Sequence, residues 1–261
     1  MVQIQEIISY LEELFPRKSA YEWDNVGLQI GLPTYKAKRV LLALDATTAV
    51  IQEATNNEID LLITHHPFFY TPIKSIDFTT RQGMKIEEII RTGLTVYSIH
   101  TNYDIAPGGM NDALAKAMGL QNISRFAMTD EENGLGRMGE LTNEMSLEVF
   151  QNHLKKVFKL EHLTYVQGND QPIKKVAVIG GSGRDFVHEA KEIGADVFVT
   201  GDMTYSAAID AQEAGLNVID VGHYAEKIML EEVATLLINK FGEGIEVIIS
   251  KASKNPIQLG N

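Results

Sequence analysis

Apolar positions alternate between a helical and a strand-like period along most of the chain. Ile4, Ile7, Ile8, Leu11 and Leu14 fall on one helical stripe, which Pro16 ends. From Arg39 onward short apolar runs and helix-period segments take turns. The pattern predicts strands over 40–44, 61–63 and 94–99 and helices over 48–56, 79–92 and 111–118, with Gly93 and Gly119 as helix stops. Strands separated by helices of this length predict crossover units and a largely parallel sheet. The segment 121–139 breaks the rhythm. It is rich in Asp, Glu, Asn and Gly, and a domain boundary is placed near its start. A second α/β set follows, with helices over 146–158, 186–192 and 205–214 and strands over 163–166, 176–179, 197–200 and 218–220. A closing helix over 227–240 and a strand over 245–249 are assigned back to the first domain. The expectation is an α/β protein of two α/β domains, 1–123 plus 227–261 and 124–226.

Composition narrows the class without naming a function. The 261 residues are 44% hydrophobic and 22% charged, ordinary values for a water-soluble globular chain. No apolar run approaches the roughly 18 residues that span a bilayer. The first residues, Met-Val-Gln-Ile-Gln-Glu, show no secretory signal, and a cytoplasmic location without membrane association is expected. There is no cysteine, so any metal is held by His, Asp and Glu. A formal charge of −12 argues against an extended nucleic-acid surface, which needs clustered Lys and Arg.

Four of the seven histidines sit beside predicted strand ends: His65, His66, His100 and His223. His153, His162 and His188 lie in helical or polar surroundings and read as surface positions. The run Leu61-Leu62-Ile63-Thr64-His65-His66-Pro67 takes a buried strand straight into metal-capable side chains, as sites are built at the C-terminal edge of α/β sheets. On an extended chain His65 and His66 point to opposite sides, so each is expected to serve a different ion. Asp104 follows His100 by four residues, and Glu226 follows His223 by three, a spacing that shares one helical face. Three strand ends thus deliver nitrogen and oxygen donors suited to zinc, iron or manganese. The plainer alternative is loop residues making hydrogen bonds. Gly180-Gly181-Ser182-Gly183 lies between a strand and a helix, where its amides would cradle an anion or form an ordinary tight turn. It lacks the lysine of a Walker loop and the full dinucleotide fingerprint. Asp202, after another strand, caps a helix or approaches the site. Residues 21–31 hold the single tryptophan, Trp23, and suggest a shaped loop followed by a strand; anchoring of the loop against the core by Trp23 is the plainer alternative. No serine nucleophile elbow is present.

Six motifs in order, Tyr21-Glu22-Trp23-Asp24-Asn25-Val26-Gly27, Thr64-His65-His66-Pro67, His100-Thr101-Asn102-Tyr103-Asp104, Gly180-Gly181-Ser182-Gly183, Thr200-Gly201-Asp202 and Gly222-His223-Tyr224-Ala225-Glu226, resemble the GTP cyclohydrolase 1 type 2 homologues, also called the NGG-interacting-factor-3-like family. The resemblance implies a dinuclear metal site in the cleft between two α/β domains and a ring-shaped homohexamer. It implies two divalent ions per chain, held by His65, His66, Asp104, His223 and Glu226, with Glu226 the candidate bridge. His100 matches a family position close to the site that is not counted among the ligands. Some relatives have three residues between the last histidine and glutamate, where this chain has two. The family name implies a hydrolase in which water activated by the ions opens the purine ring of GTP at its imidazole carbon and releases formate. His100, Asp104 and Glu226 are the candidates to move protons, and Gly180, Gly181, Ser182 and Gly183 to hold a phosphate of the nucleotide. Two other functions remain open: metal-dependent phosphoester hydrolysis of nucleotides or nucleic-acid ends, and a non-catalytic metal-dependent binding or regulatory role.

Overall fold

A computed structural model describes residues 1–258. The chain divides into two compact units, one formed by Met1–Tyr103 with the segment from Met229 onward, the other by Asp104–Ile228.

The first unit is built on a five-stranded sheet in the order Glu246–Ile249, Arg39–Ala43, Leu61–Thr64, Thr95–Ser98, Gly27–Ile30. The first four strands run parallel and Gly27–Ile30 joins antiparallel. Leu61–Thr64 is the central strand and every residue in it is buried, which explains its unbroken apolar run. Val50, Ile51 and Ala54 of the Thr48–Asn56 helix and Ile86 and Ile89 of the Arg81–Thr92 helix pack on this sheet against Leu41, Leu62 and Val96. Both helices begin where a threonine caps them: the Thr47 hydroxyl accepts from Val50 N and the Thr80 hydroxyl from Gly83 N. Gly93, at φ 70°, ends the second helix in the left-handed conformation glycine adopts most easily.

The second unit carries a six-stranded sheet in the order Gln121–Met128, Gly134–Met145, Ile173–Ser182, Val197–Gly201, Asn217–Asp220, Thr164–Val166. Only Ile173–Ser182, Val197–Gly201 and Asn217–Asp220 are mutually parallel; their neighbours run antiparallel. The segment 121–139, expected to be a break, is mostly a long hairpin. Its first strand lies at the sheet margin and alternates little, because many Gln121–Met128 side chains face solvent. The unit begins earlier than residue 123. The helix Met110–Ala117 packs on Gly134–Met145 and Ile173–Ser182, and the buried Arg137 guanidinium donates to the carbonyls of Ile105 and Ala106. No helix among the described residues is long and apolar enough to cross a membrane.

Candidate metal centre

Three imidazoles gather at the C-terminal edge of the first sheet. Beyond Thr64 the chain bends, and the Thr64 hydroxyl donates to the His66 carbonyl at 2.8 Å. Strand alternation therefore does not carry into the doublet. The His65 and His66 ring centroids are 4.9 Å apart, and each lies near His100, at 5.1 and 5.5 Å. One nitrogen from each of the three falls within 4.8 Å of the others. The expectation that the neighbours diverge is corrected to a cluster, and His100 belongs to it.

Each ring is held through Nδ1. His65 Nδ1 lies 2.8 Å from the Ile99 carbonyl, which can only accept, so Nδ1 carries the proton and the neutral ring has its lone pair on Nε2. His66 Nδ1 meets Asp45 Oδ1 at 2.8 Å and His100 Nδ1 meets Asp24 Oδ1 at 2.9 Å. An anchored Nδ1–H that directs Nε2 outward is the usual support of a metal-ligating histidine. Burial alone raises the Asp24 pKa. The His100 hydrogen bond and charge, together with the Thr101 hydroxyl and amide, outweigh that effect and hold the carboxyl below its ordinary value.

The second unit repeats the device with carboxylates. The strand Asn217–Asp220 ends in Gly222, at φ 79°, and a 3-10 turn over His223–Lys227. That turn brings His223 Nε2 to 3.1 Å from Glu226 Oε2, while His223 Nδ1 meets Asp202 Oδ2 at 2.7 Å. Asp220 ties the flanking loops together by accepting from Met203 N and Gly222 N. Asp104 lies on the short helix Thr101–Ile105, and its carboxylate and that of Glu226 offer oxygens within 4.8 Å of one another. Both residues are buried. Two buried carboxylates this close are the arrangement a divalent cation compensates. Asn111 braces this side, donating to the Asp104 carbonyl and accepting from Gly180 N.

The glycine-rich motif serves a different purpose from an anion cradle. Gly180 and Gly181 lie within the strand Ile173–Ser182, and the amides of Gly180 and Gly183 donate to Asn111 Oδ1 and Thr200 Oγ1, each at 2.8 Å. Ser182 Oγ accepts from Arg184. What the glycines provide is room. A Cβ on Gly181, at φ 62°, would sit 2.5 Å from Glu226 Oε1, and one on Gly201 would sit 2.8 Å from His223 N. With two of its amides engaged, the motif offers a phosphate no continuous row of donors.

Asp202, expected to cap a helix or approach the site, holds His223 Nδ1, and Asp45, which no motif includes, does the same for His66. Asp45 and Asp202 each follow a strand ending in Ala43 or Gly201, and that position was the available signal. Asp202 has φ 54°, an uncommon conformation for a residue other than glycine. The donors are imidazole and carboxylate throughout, a set that fits zinc, iron or manganese.

A family model described as Duf34/NIF3 (NGG1p interacting factor 3) matches residues 2–256. A Clostridium perfringens protein named GTP cyclohydrolase 1 type 2 homolog is 36% identical over 261 residues, covering 99% of this chain and 100% of the relative. Among solved structures, a Bacillus cereus protein related to NIF3 superposes with a TM-score of 0.93 at 28% identity, and a Staphylococcus aureus hypothetical protein with 0.91 at 33%; each comparison covers 99% of both chains.

Proposed function

The chain belongs to the Duf34/NIF3 family, and on that premise we propose that it is a divalent-metal protein with a dinuclear centre and hydrolytic activity on a purine nucleotide. The observation that carries this reading is the Nδ1 anchoring of His65, His66 and His223, which directs Nε2 of each for ligation. His65, His66, Asp104, His223 and Glu226 would hold the two ions. The chemistry such ions supply is Lewis-acid polarisation and a water poised to act as nucleophile near neutral pH. Asp45 and Asp202 keep His66 and His223 in the ligating tautomer. Asp24 does the same for His100, which is thereby set to accept a proton at Nε2. Asp104 and Glu226 bring negative charge that favours the cations. The purine substrate is supported by the names of the relatives, GTP cyclohydrolase 1 type 2 homolog. A homohexamer is proposed on the family resemblance alone, and light scattering on the purified chain tests it.

The activity test incubates metal-loaded protein with GTP and identifies products by mass spectrometry. Formate with a ring-opened nucleotide, absent in His65→Ala, supports the proposal. Phosphate without formate would assign phosphoester hydrolysis instead. Full metal content with no turnover on a broad nucleotide panel would leave a binding role.

A further inference from the structure

Trp23 does not anchor its loop in the core. It is 63% exposed, although burying a large apolar side chain is worth about 1.5–3 kcal/mol. The loop that carries it is nonetheless held firmly. The Asp24 side chain is fully buried and accepts from His100 Nδ1, Thr101 N and Thr101 Oγ1. Tyr21 N donates to Thr101 Oγ1, and Asn25 Nδ2 donates to the Phe69 carbonyl at 2.8 Å. The second of these contacts ties the tryptophan loop to the segment that carries Tyr70. Tyr21 stacks on Trp23 with ring planes 13° apart. Trp23 lies edge-on to His100 at 6.1 Å and Tyr70, 54% exposed, edge-on to the same ring at 5.8 Å. Two exposed aromatic faces are therefore braced against the histidine cluster by hydrogen bonds that fix both supporting segments.

We propose that Trp23 and Tyr70 form a stacking surface for a planar heteroaromatic ring, a nucleobase, beside the histidine cluster. Rigid aromatic faces bind bases at little conformational cost and accept any base with a π-face. This rests on the metal-centre reading above, because the cluster is what makes the ring's position useful.

Trp23 is the only tryptophan, so its fluorescence reports the surface directly. Metal-loaded protein is titrated with GTP, ATP, CTP and UTP, and with inorganic tripolyphosphate, and its metal content is measured on the same samples. Saturable quenching by nucleotides but not by tripolyphosphate is expected. Tyr70→Ala, read by the indole signal, and Trp23→Ala, read by calorimetry, are expected to bind roughly 5- to 150-fold more weakly. Trp23→Phe, which keeps a ring, is expected to lose less. Full metal content with tripolyphosphate quenching as strongly as the nucleotides, or Trp23→Ala binding as tightly as the parent, overturns the proposal. Quenching that follows protein concentration and ignores nucleotide assigns the surface to a second copy and overturns it as well. Quenching by nucleotides but not by tripolyphosphate, in protein that takes up no metal, supports the stack and refutes the centre.

Discussion

Replacing Asp202 with glycine separates the stability of the fold from the strength of the metal site. Asp202 sits at φ 54°, where a residue with a Cβ costs roughly 1–2 kcal/mol that glycine does not. The greater chain entropy of unfolded glycine returns roughly 0.5–1 kcal/mol. The Asp202 side chain is 39% exposed, so its removal opens no cavity. The metal-free variant should thus be between parent-like and about 1.5 kcal/mol more stable, a shift of at most about 3–6 °C. The metal site is affected differently. His223 loses the acceptor 2.7 Å from Nδ1, and loss of such a supporting partner weakens metal binding by roughly 10- to 100-fold. Asp202→Asn keeps an oxygen able to accept from Nδ1–H and tolerates the left-handed backbone, so its loss should be smaller. Chelator competition reads the affinity and thermal melting of the metal-free protein reads the fold. Parent-like affinity in Asp202→Gly would refute the supporting role of Asp202, and a collapse of the metal-free melt would make its role structural.

Three further outcomes follow from the same geometry. Arg137 is 1% exposed and donates to both Asp112 oxygens and to the carbonyls of Gly134 and Gly136, so Arg137→Met should cost about 3–5 kcal/mol in denaturant unfolding, and Arg137→Met with Asp112→Leu should cost less than the single change. Burial raises the Asp112 pKa, but the Arg137 bond and charge and the Gly108 amide outweigh it and hold the carboxyl low. The stability it contributes is complete above about pH 4 and is lost as pH falls through the depressed folded value, so Asp112→Asn should flatten the acid limb of stability against pH. Gly181→Ala should weaken metal binding because its Cβ displaces Glu226 Oε1, whereas Gly93→Ala, at φ 70° with nothing within 4 Å, should carry similar backbone strain and leave metal binding unchanged.

Where burial is complete, the sequence pattern and the structure agree. Leu61–Thr64 and Val197–Gly201 are buried at every position, and the apolar runs Leu61-Leu62-Ile63 and Val197-Phe198-Val199 mark them. Ser146 capping Val149 and Thr204 capping Ala207 begin helices where the side-chain chemistry says they should. The hairpin Gln121–Met128 with Gly134–Met145 leaves no strand pattern in the sequence, because its first strand is largely exposed and its tip is acidic, so composition imitates a linker. The donor residues were visible through their positions at strand ends. Their mutual placement was not: the bend after Thr64 turns both imidazoles into one cluster, a departure from strand geometry that no periodicity encodes. The same holds for Asp24, Asp45 and Asp202, whose roles depend on which histidine lies opposite.

Whether the donors hold two ions is read by elemental analysis of the metal-loaded chain, with the parent compared against His66→Ala and Glu226→Ala. Two divalent ions per parent chain are expected, with a lower count in each variant. Two ions retained in both variants, or a parent that takes up none, would contradict the dinuclear centre.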